Sequence, residues 1–229
     1  MRSSHLRPFS MLEFWFEFGS CYSYLSVMRI EELARRSGVR IAWRPFLLGP
    51  IFSSFGWETS PFKLQKQKGA YVWRDMARLC TKYDLRWRQP SEFPRRALLP
   101  TRLALLGANC GWIADFSRDV MSANFAADRD IDNPRTMSEV LEVLQLSATE
   151  LLAAAQSEDN KRRLRDQTEA AHQRGIFGAP TFLVGSEMFW GNDRLEDALS
   201  CAARAAVIGH SPHDEHPVAP AAGTAASGR

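Results

Sequence analysis

The order in which two hydrophobic periodicities follow each other along the chain is its most constraining feature. From Leu12 to Phe18 large apolar residues occupy every second position, which is typical of a strand with covered faces. Tyr22 to Ser37 has helical spacing and is stopped by Gly38. Alternation resumes from Val39 to Arg44 and ends at Pro45. The first 45 residues therefore predict a strand–helix–strand unit whose two strands are parallel.

Helical periodicity dominates the middle of the chain, after a long loop that we expect from Gly49, Pro50, Gly56 and Pro61. The predicted helices span Lys68 to Tyr83, Thr101 to Ala126 with a break near Gly107 or Gly111, Met137 to Leu144, Thr149 to Gln156 and Glu158 to Arg174. Ser147 and Glu150 fit a capping box at the fourth of these helices.

Strand patterns return after Gly175. Thr181 to Val184, a turn at Gly185-Ser186, and Met188 to Trp190 predict an antiparallel hairpin. A last helix is expected from Arg194 to Val207, with Asn192 or Asp193 as its N-cap and Gly209 at its end. This order indicates an α/β, thioredoxin-like core split by an all-helical insertion.

The expected domain boundaries follow the same changes in periodicity. Residues 11–50 and 175–208 form the discontinuous thioredoxin-like domain, and residues 51–174 form the helical insertion, which need not fold independently. We expect flexible termini at 1–10 and 209–229, the latter rich in Ala, Pro, Gly and Ser.

Composition excludes several classes of protein. With 229 residues, of which 45% are hydrophobic and 24% charged, the chain can bury a core and is not disordered by composition. Its net charge of +3 without like-charge blocks argues against a nucleic-acid surface, although small anions remain compatible ligands. Apolar runs interrupted by Pro100 and Arg102 are shorter than the about 20 residues of a membrane span. Because Glu13 and Glu17 follow the basic N-terminus, we expect no signal peptide and a cytoplasmic protein.

The cysteine and histidine residues show no metal or disulfide pattern. The four cysteines, at 21, 80, 110 and 201, include no Cys-x-x-Cys pair, so we expect reduced thiols and no structural zinc site. His210, His213 and His216 lie at three-residue spacing in a tail that contains proline. Such a tail rarely holds a coordination geometry, so we predict no metal site.

Three loops are candidates for chemistry, each with an ordinary structural alternative. Gly19-Ser20-Cys21-Tyr22-Ser23 joins a strand to a helix, where backbone N–H groups favour an anion; alternatively a serine is only the N-cap. Pro180 directly precedes a strand, either as an edge residue or in a cis turn that leaves the backbone open to a ligand, and the local sequence favours the edge. Gly191 to Arg194 is in isolation an ordinary helix start.

Taken together, these loops resemble one family over residues 11 to 208. It is the glutathione-dependent branch of the DsbA-like thioredoxin superfamily, the 2-hydroxychromene-2-carboxylate isomerases and kappa-class glutathione transferases. The blocks that carry the resemblance are Phe16 to Leu25, Trp43 to Phe52, Lys68 to Asp75, Phe177 to Phe182 and Phe189 to Leu195. Their occurrence in the family order is much more specific than any single block.

The resemblance implies that Ser20 is the catalytic residue. It stands at the position of the first cysteine of the redox motif and would hydrogen-bond the sulfur of bound glutathione, while Ser23 matches the second cysteine. A free thiol has a pKa of about 8.5, which a helix N-terminus and a hydroxyl donor would lower. The thiolate of the cofactor would then act as the nucleophile.

The resemblance also implies a glutathione-binding set. Pro180 would be cis, and the backbone of Ala179 would pair with the cysteinyl part of glutathione as a short added strand. Asn192 and Asp193 would hold the γ-glutamyl end, with Asp193 against its ammonium group. Lys68 matches a glutathione-binding lysine of the kappa-class enzymes.

This chain departs from the family pattern at three places. Cys21 stands where proline usually follows the serine, either as packing or as a second sulfur near the site. Glu58 and Arg96 replace residues that are often asparagine in isomerases, in segments expected to shape the second-substrate pocket. Arg44, Arg95 and Arg96 could receive a substrate carboxylate, although we favour solvated arginines.

The expected function is cis–trans isomerisation of a 2-hydroxychromene-2-carboxylate-like enone acid in aromatic hydrocarbon catabolism, with glutathione as cofactor. A kappa-class-like transferase or peroxidase is the enzymatic alternative, and a thiol-binding or redox-sensing module that uses Cys21 is the non-catalytic one. The expected partner is a small-molecule carboxylate, with no nucleic acid or membrane, and a homodimer is possible.

Overall fold

A four-stranded mixed sheet organises the protein in the computed structural model, which describes residues 11–208. The strands are β1 Met11–Phe16, β2 Arg40–Pro45, β3 Thr181–Val184 and β4 Glu187–Trp190, in the spatial order β2-β1-β3-β4. β1 pairs with β2 in parallel and with β3 antiparallel, and β3 and β4 form an antiparallel hairpin. The parallel pair, the hairpin and the thioredoxin-like α/β class predicted from periodicity are therefore confirmed.

Helices surround this sheet. They are α1 Cys21–Val27, α2 Ile30–Ser37, α3 Leu48–Ser54, α4 Pro61–Leu64, α5 Lys66–Lys82, α6 Leu98–Gly107, α7 Ile113–Phe125, α8 Pro134–Val143, α9 Ala148–Ala155, α10 Glu158–Gln173 and α11 Leu195–Ile208, with a 3₁₀ turn at Asn192–Arg194. Helices α3 to α10 separate β2 from β3 along the chain. The division into two domains stays a prediction, and the termini expected to be flexible lie outside the described residues.

Both faces of the sheet at β1 are covered by buried side chains. Alternate residues of this strand therefore belong to two different hydrophobic clusters. Leu12, Phe14 and Phe16 lie in the larger buried cluster, where the ring of Phe14 lies 5.3 Å from that of Phe182. Trp15 belongs to the smaller cluster on the other face. Aromatic burial on both sides holds the end of β1, from which the loop of Ser20 leaves the sheet.

The single helix predicted over Tyr22 to Ser37 is wrong, because the structure has two helices there. The N–H of Arg29 donates to the carbonyl of Ser26 at 3.1 Å, three residues back rather than four, so the helix is interrupted. The side chains of Ser26 and Arg29 both donate to Asn192, a residue from the other end of the chain. This long-range contact is invisible in local periodicity.

The predicted long loop after Pro45 is also wrong, because it contains α3 and α4. Pro50 and Pro61 lie in the first turns of these helices, where proline loses no intrahelical hydrogen bond. The capping box is a further error, since Ser147 caps α9 without a side-chain hydrogen bond. Ser147 and Glu150 are exposed, so water can satisfy these groups instead. Within the described part of the chain, no helix is long and apolar enough to cross a membrane.

Candidate active site

Ser20 ends the loop after β1 and is the N-cap of α1. Its Oγ accepts a hydrogen bond from the backbone N–H of Ser23 at 3.2 Å. The same hydroxyl donates to the carbonyl oxygen of Ala179 at 2.9 Å. Ser20 therefore both caps the helix and meets the segment predicted to bind a peptide ligand.

The segment that faces Ser20 precedes β3. The Ala179-Pro180 peptide bond is cis, as the resemblance implied. Ala179 is partly exposed, and the backbone N–H of Gly191 donates to the carbonyl oxygen of Pro180 at 2.9 Å. This bond brings the chain after β4 to the edge of the site.

Asn192 begins the 3₁₀ turn and is buried, with 3% of its surface exposed. Its Oδ1 accepts from Ser26 Oγ and from Arg29 Nη1, each at 3.2 Å. The amide oxygen is thereby used, and the amide nitrogen is the group left to donate. The neighbouring Asp193 is exposed, and its carboxylate lies 3.5 Å from Nε of Arg194.

Lys68 lies in the first turn of α5. The lysine is exposed, with its ammonium group 5.9 Å from the ring centroid of Phe62. That ring lies 6.2 Å from the ring of Tyr22, two residues after Ser20. Ser20 therefore contacts Ala179 directly, and Gly191, the neighbour of Asn192, bonds to Pro180. Lys68 is connected to the serine loop only through the rings of Phe62 and Tyr22.

Sequence reasoning missed Glu17, whose carboxyl lies beneath the serine loop. The alternation predicted a strand that ran through Glu17 to Phe18, but β1 ends at Phe16 and Glu17 belongs to the turn. Its Oε2 accepts from the N–H of Gly19 at 3.0 Å, and burial raises its pKa from 4.5 to about 7. The available signal was an acidic residue two positions before Gly19, where the predicted strand was expected to break.

With this geometry in place, the comparisons with known proteins identify the family. A family model for the DSBA-like thioredoxin domain matches residues 11–200. The chain belongs to the DSBA-like thioredoxin family. This membership confirms the superfamily to which the sequence motifs pointed.

Among its relatives, the chain is similar to enzymes named 2-hydroxychromene-2-carboxylate isomerase. Identity is 29% over 194 residues to the Sphingobium xenophagum protein, covering 81% of this chain and 94% of that protein. It is 27% over 188 residues to the Pseudomonas putida protein, covering 81% and 90%. A solved structure of 2-hydroxychromene-2-carboxylate isomerase is similar with a TM-score of 0.77 and 25% identity, covering 88% of this chain and all of that one.

In this member of the DSBA-like family, Cys21 is not placed to react. The residue is completely buried in the larger core cluster, and burial raises the pKa of its thiol to about 12. A thiol that is enclosed and protonated at neutral pH is a poor nucleophile. The structure favours the packing interpretation of Cys21 and gives no support to a redox module built on it.

Arg95 corrects the expectation of a solvated or substrate-binding arginine. Its side chain is buried and ion-paired with Asp128, and its Nη1 donates to the carbonyl of Arg129 at 2.7 Å and to Asn124 Oδ1 at 3.3 Å. Hydrogen bonds lower the pKa of Asp128 to about 2: the largest effect comes from the backbone N–H of Ser91 and the next from the Arg95 side chain. Because protein groups occupy its donors, Arg95 is structural.

The other charged residues considered for substrate binding either pair with protein carboxylates or are exposed to solvent. Arg96 is exposed and pairs with Asp132 at 3.0 Å, and Arg44 lies 3.5 Å from Glu13. Glu58 is exposed in the turn after α3. Over residues 11–208, no group of three or more His, Cys, Asp and Glu side chains could hold a metal ion. The three histidines of the tail lie outside that range.

Proposed function

We propose that this protein is a glutathione-dependent isomerase that interconverts the cis and trans forms of a 2-hydroxychromene-2-carboxylate-like enone acid in aromatic-compound degradation. The observation that carries the proposal is the 2.9 Å contact between the Ser20 hydroxyl and the Ala179 carbonyl. The hydroxyl lies beside the backbone of the segment before β3, and a hydroxyl can donate to the sulfur atom of a ligand bound there. The similarity to proteins named 2-hydroxychromene-2-carboxylate isomerase supports the reaction class.

The chemistry of the surrounding groups fits glutathione, an extended tripeptide with one thiol, two carboxylates and an ammonium group. Ala179 offers partly exposed backbone to an extended ligand. The amide nitrogen of Asn192 suits a carboxylate, and the exposed carboxylate of Asp193 suits an ammonium group. The exposed Lys68 supplies a cation for the remaining carboxylate.

Ser20 has the central role in the proposed reaction. Bound glutathione would supply a thiolate as a reversible nucleophile towards the conjugated double bond of the substrate. The Ser20 hydroxyl turns from Ala179 towards the sulfur and donates to it, since a hydroxyl rotates freely among its acceptors. This donation lowers the thiol pKa and raises the thiolate fraction at neutral pH.

A kappa-class-like transferase or peroxidase would use the same serine and backbone, so the consumption of glutathione separates the two enzymatic alternatives. An isomerase regenerates free glutathione in every cycle, whereas a transferase or peroxidase consumes it. We place the activity in the cytoplasm, where reduced glutathione is the prevailing thiol buffer. The four cysteines, at 21, 80, 110 and 201, are free, in agreement with a reducing compartment.

Calorimetric titration with reduced glutathione tests the proposed site, using Asn192→Asp as the sharpest variant. Aspartate keeps a side-chain oxygen that can accept from Ser26 and Arg29. It replaces the donating amide nitrogen of Asn192 by a second oxygen, which can only accept. We expect affinity to fall about 10- to 150-fold, because a hydrogen bond to a charged group is worth about 1.5–3 kcal/mol. The control Asn109→Asp lies at an exposed position and should bind as the wild type does.

Two results would count against the proposal. If the wild-type protein shows no heat of binding with millimolar glutathione, the cofactor is wrong. If Asn192→Asp binds as tightly as the wild type, glutathione does not place a carboxylate at this amide.

A further inference from the structure

Glu17 is enclosed directly beneath the loop that presents Ser20. Only 9% of the residue surface is exposed, and Oε2 accepts from the N–H of Gly19 at 3.0 Å. A Cβ atom on Gly19 would lie 3.1 and 3.2 Å from the two carboxyl oxygens and 3.0 Å from the carbonyl oxygen of Arg95. The glycine therefore allows the loop backbone to lie against the carboxyl group.

Three features act on the pKa of Glu17, and none of them is a cation: burial raises it, and hydrogen bonds from the backbone N–H groups of Gly19 and Ser20 lower it. On α1, the buried thiol of Cys21 is neutral at physiological pH. The backbone of Arg95 lies against the loop, but its guanidinium group pairs with Asp128. The segment before β3, from Ile176 to Pro180, carries no charged side chain. An ionised Glu17 is therefore an isolated negative charge, which explains why burial raises its pKa to about 7.

The thiolate expected at Ser20 would add a second negative charge next to this loop. Two like charges in a poorly hydrated region repel strongly, and one of the two groups then remains protonated. The carboxyl and the thiol would titrate as a coupled pair, with macroscopic pKa values that belong to both.

We propose that Glu17 takes up the proton that glutathione releases when its sulfur ionises beside Ser20. The S–H bond breaks, an O–H bond forms on the Glu17 carboxylate, and one negative charge moves from carboxylate to sulfur. The reverse transfer occurs when the sulfur is protonated again. This inference rests on the proposed function and adds to it a proton-holding residue that does not touch the substrate.

Glu17→Gln distinguishes a purely structural role of Glu17 from the proposed proton-holding role. If Glu17 only orders the turn, glutamine serves as well, because its amide oxygen accepts the same bond from Gly19. If Glu17 holds the proton, Glu17→Gln keeps the turn but changes how many protons the protein exchanges with solvent on binding.

The decisive measurement is calorimetry of glutathione binding at pH 7 in buffers of different ionisation enthalpy, which counts released protons. With a pKa of about 7, Glu17 is half ionised before binding and can absorb about half a proton. We expect wild type to release about half a proton fewer per glutathione than Glu17→Gln. The control Glu150→Gln alters an exposed carboxylate on α9 and should match the wild type.

NMR titration of the Glu17 carboxyl in wild-type protein provides a second readout if the variant fails to fold. Its pKa should rise by about one unit or more when glutathione binds, since thermodynamic coupling is reciprocal. Equal proton release in wild type and variant, or a Glu17 pKa that glutathione leaves unchanged, would overturn the inference while leaving the proposed function intact. Absence of glutathione binding to wild type would instead overturn the proposed function.

Discussion

At the scale of single residues, Ser20 serves two purposes through one hydroxyl. Its oxygen accepts from the N–H of Ser23, and its proton is donated to the carbonyl of Ala179. Removing the hydroxyl therefore affects both the start of α1 and the proposed sulfur site. An N-cap is worth about 1 kcal/mol, so the protein should remain folded without it.

We expect Ser20→Ala to lower turnover about 10- to 150-fold while changing glutathione affinity little. A hydrogen bond to a charged group is worth about 1.5–3 kcal/mol, and in the proposed mechanism it acts on the reactive sulfur, whereas Ala179, Asn192 and Asp193 are the groups proposed to hold the tripeptide. Steady-state kinetics and the absorbance of the bound thiolate measure both effects. Cys21→Ala is the milder comparison; loss of activity in that variant alone would assign the chemistry to the protein's own thiol.

Glu17 should make stability fall as pH rises. Between pH 4.5 and about 7 the folded protein holds the Glu17 proton more tightly than the unfolded chain, because burial raises the folded pKa. The free-energy cost of burying the ionised carboxylate is absent below pH 4.5. It reaches its full value of about 3 kcal/mol above about pH 7. Glu17→Gln should remove it, so that urea unfolding shows a stability gain at pH 8 that is largely absent below pH 4.5. An equal effect of the substitution at both pH values would contradict the raised pKa.

At the scale of elements, the close approach of α4 and α5 positions Lys68 and Phe62. Gly69 is buried in the first turns of α5, and a Cβ there would lie 2.3 Å from the carbonyl oxygen of Phe62. Since that oxygen belongs to the backbone, the two helices must separate to accept a side chain.

We therefore expect Gly69→Ala to destabilise the protein by about 1–3 kcal/mol and to weaken glutathione binding through displacement of Lys68. Urea unfolding and calorimetry measure the two effects. Gly49→Ala is the matched control in α3, where an added Cβ meets nothing within 4 Å, and it should be neutral or slightly stabilising. Equal unfolding free energies and equal glutathione affinities in the two variants would show that α4 and α5 can accept a side chain at Gly69.

The sequence was informative where a pattern is local and uninformative where a residue depends on distant partners. The first two strands follow from alternation and the last two from a hairpin pattern around a short turn. Ser20, Pro180 and Asn192 follow from motifs at element ends. The burial of Glu17 and Arg95 could not be predicted, because polar residues near loops are usually solvated. The break between α1 and α2 depends on Asn192, more than 160 positions from Ser26 and Arg29.

At the scale of the whole molecule, Asn124 connects the helical middle of the chain to the loop that carries Ser20. From α7 its Nδ2 donates to the carbonyl oxygen of Phe18 at 3.0 Å, and its Oδ1 accepts from Arg95 at 3.3 Å. The same arginine pairs with Asp128. These buried bonds hold the loop before Ser20 against helices that belong to another part of the sequence. The possible homodimer stays a prediction.

We expect Asn124→Ala to cost about 1–3 kcal/mol of stability, because it leaves the Phe18 carbonyl and an Arg95 donor without their partner. Turnover should fall as the serine loop loses its support. Urea unfolding and steady-state kinetics report the two effects, with the exposed Asn109→Ala as control. Unchanged turnover in a folded Asn124→Ala protein would show that the loop needs no support from α7.

The most direct test of the central claim is a spectroscopic assay of the purified protein, with and without reduced glutathione, for cis–trans isomerisation of a 2-hydroxychromene-2-carboxylate-like enone acid. The account predicts a rate that saturates with glutathione, is near the uncatalysed rate without it, and leaves the glutathione concentration unchanged at equilibrium. An equal rate without glutathione, no isomerisation of any enone acid in its presence, or stoichiometric loss of glutathione would contradict it.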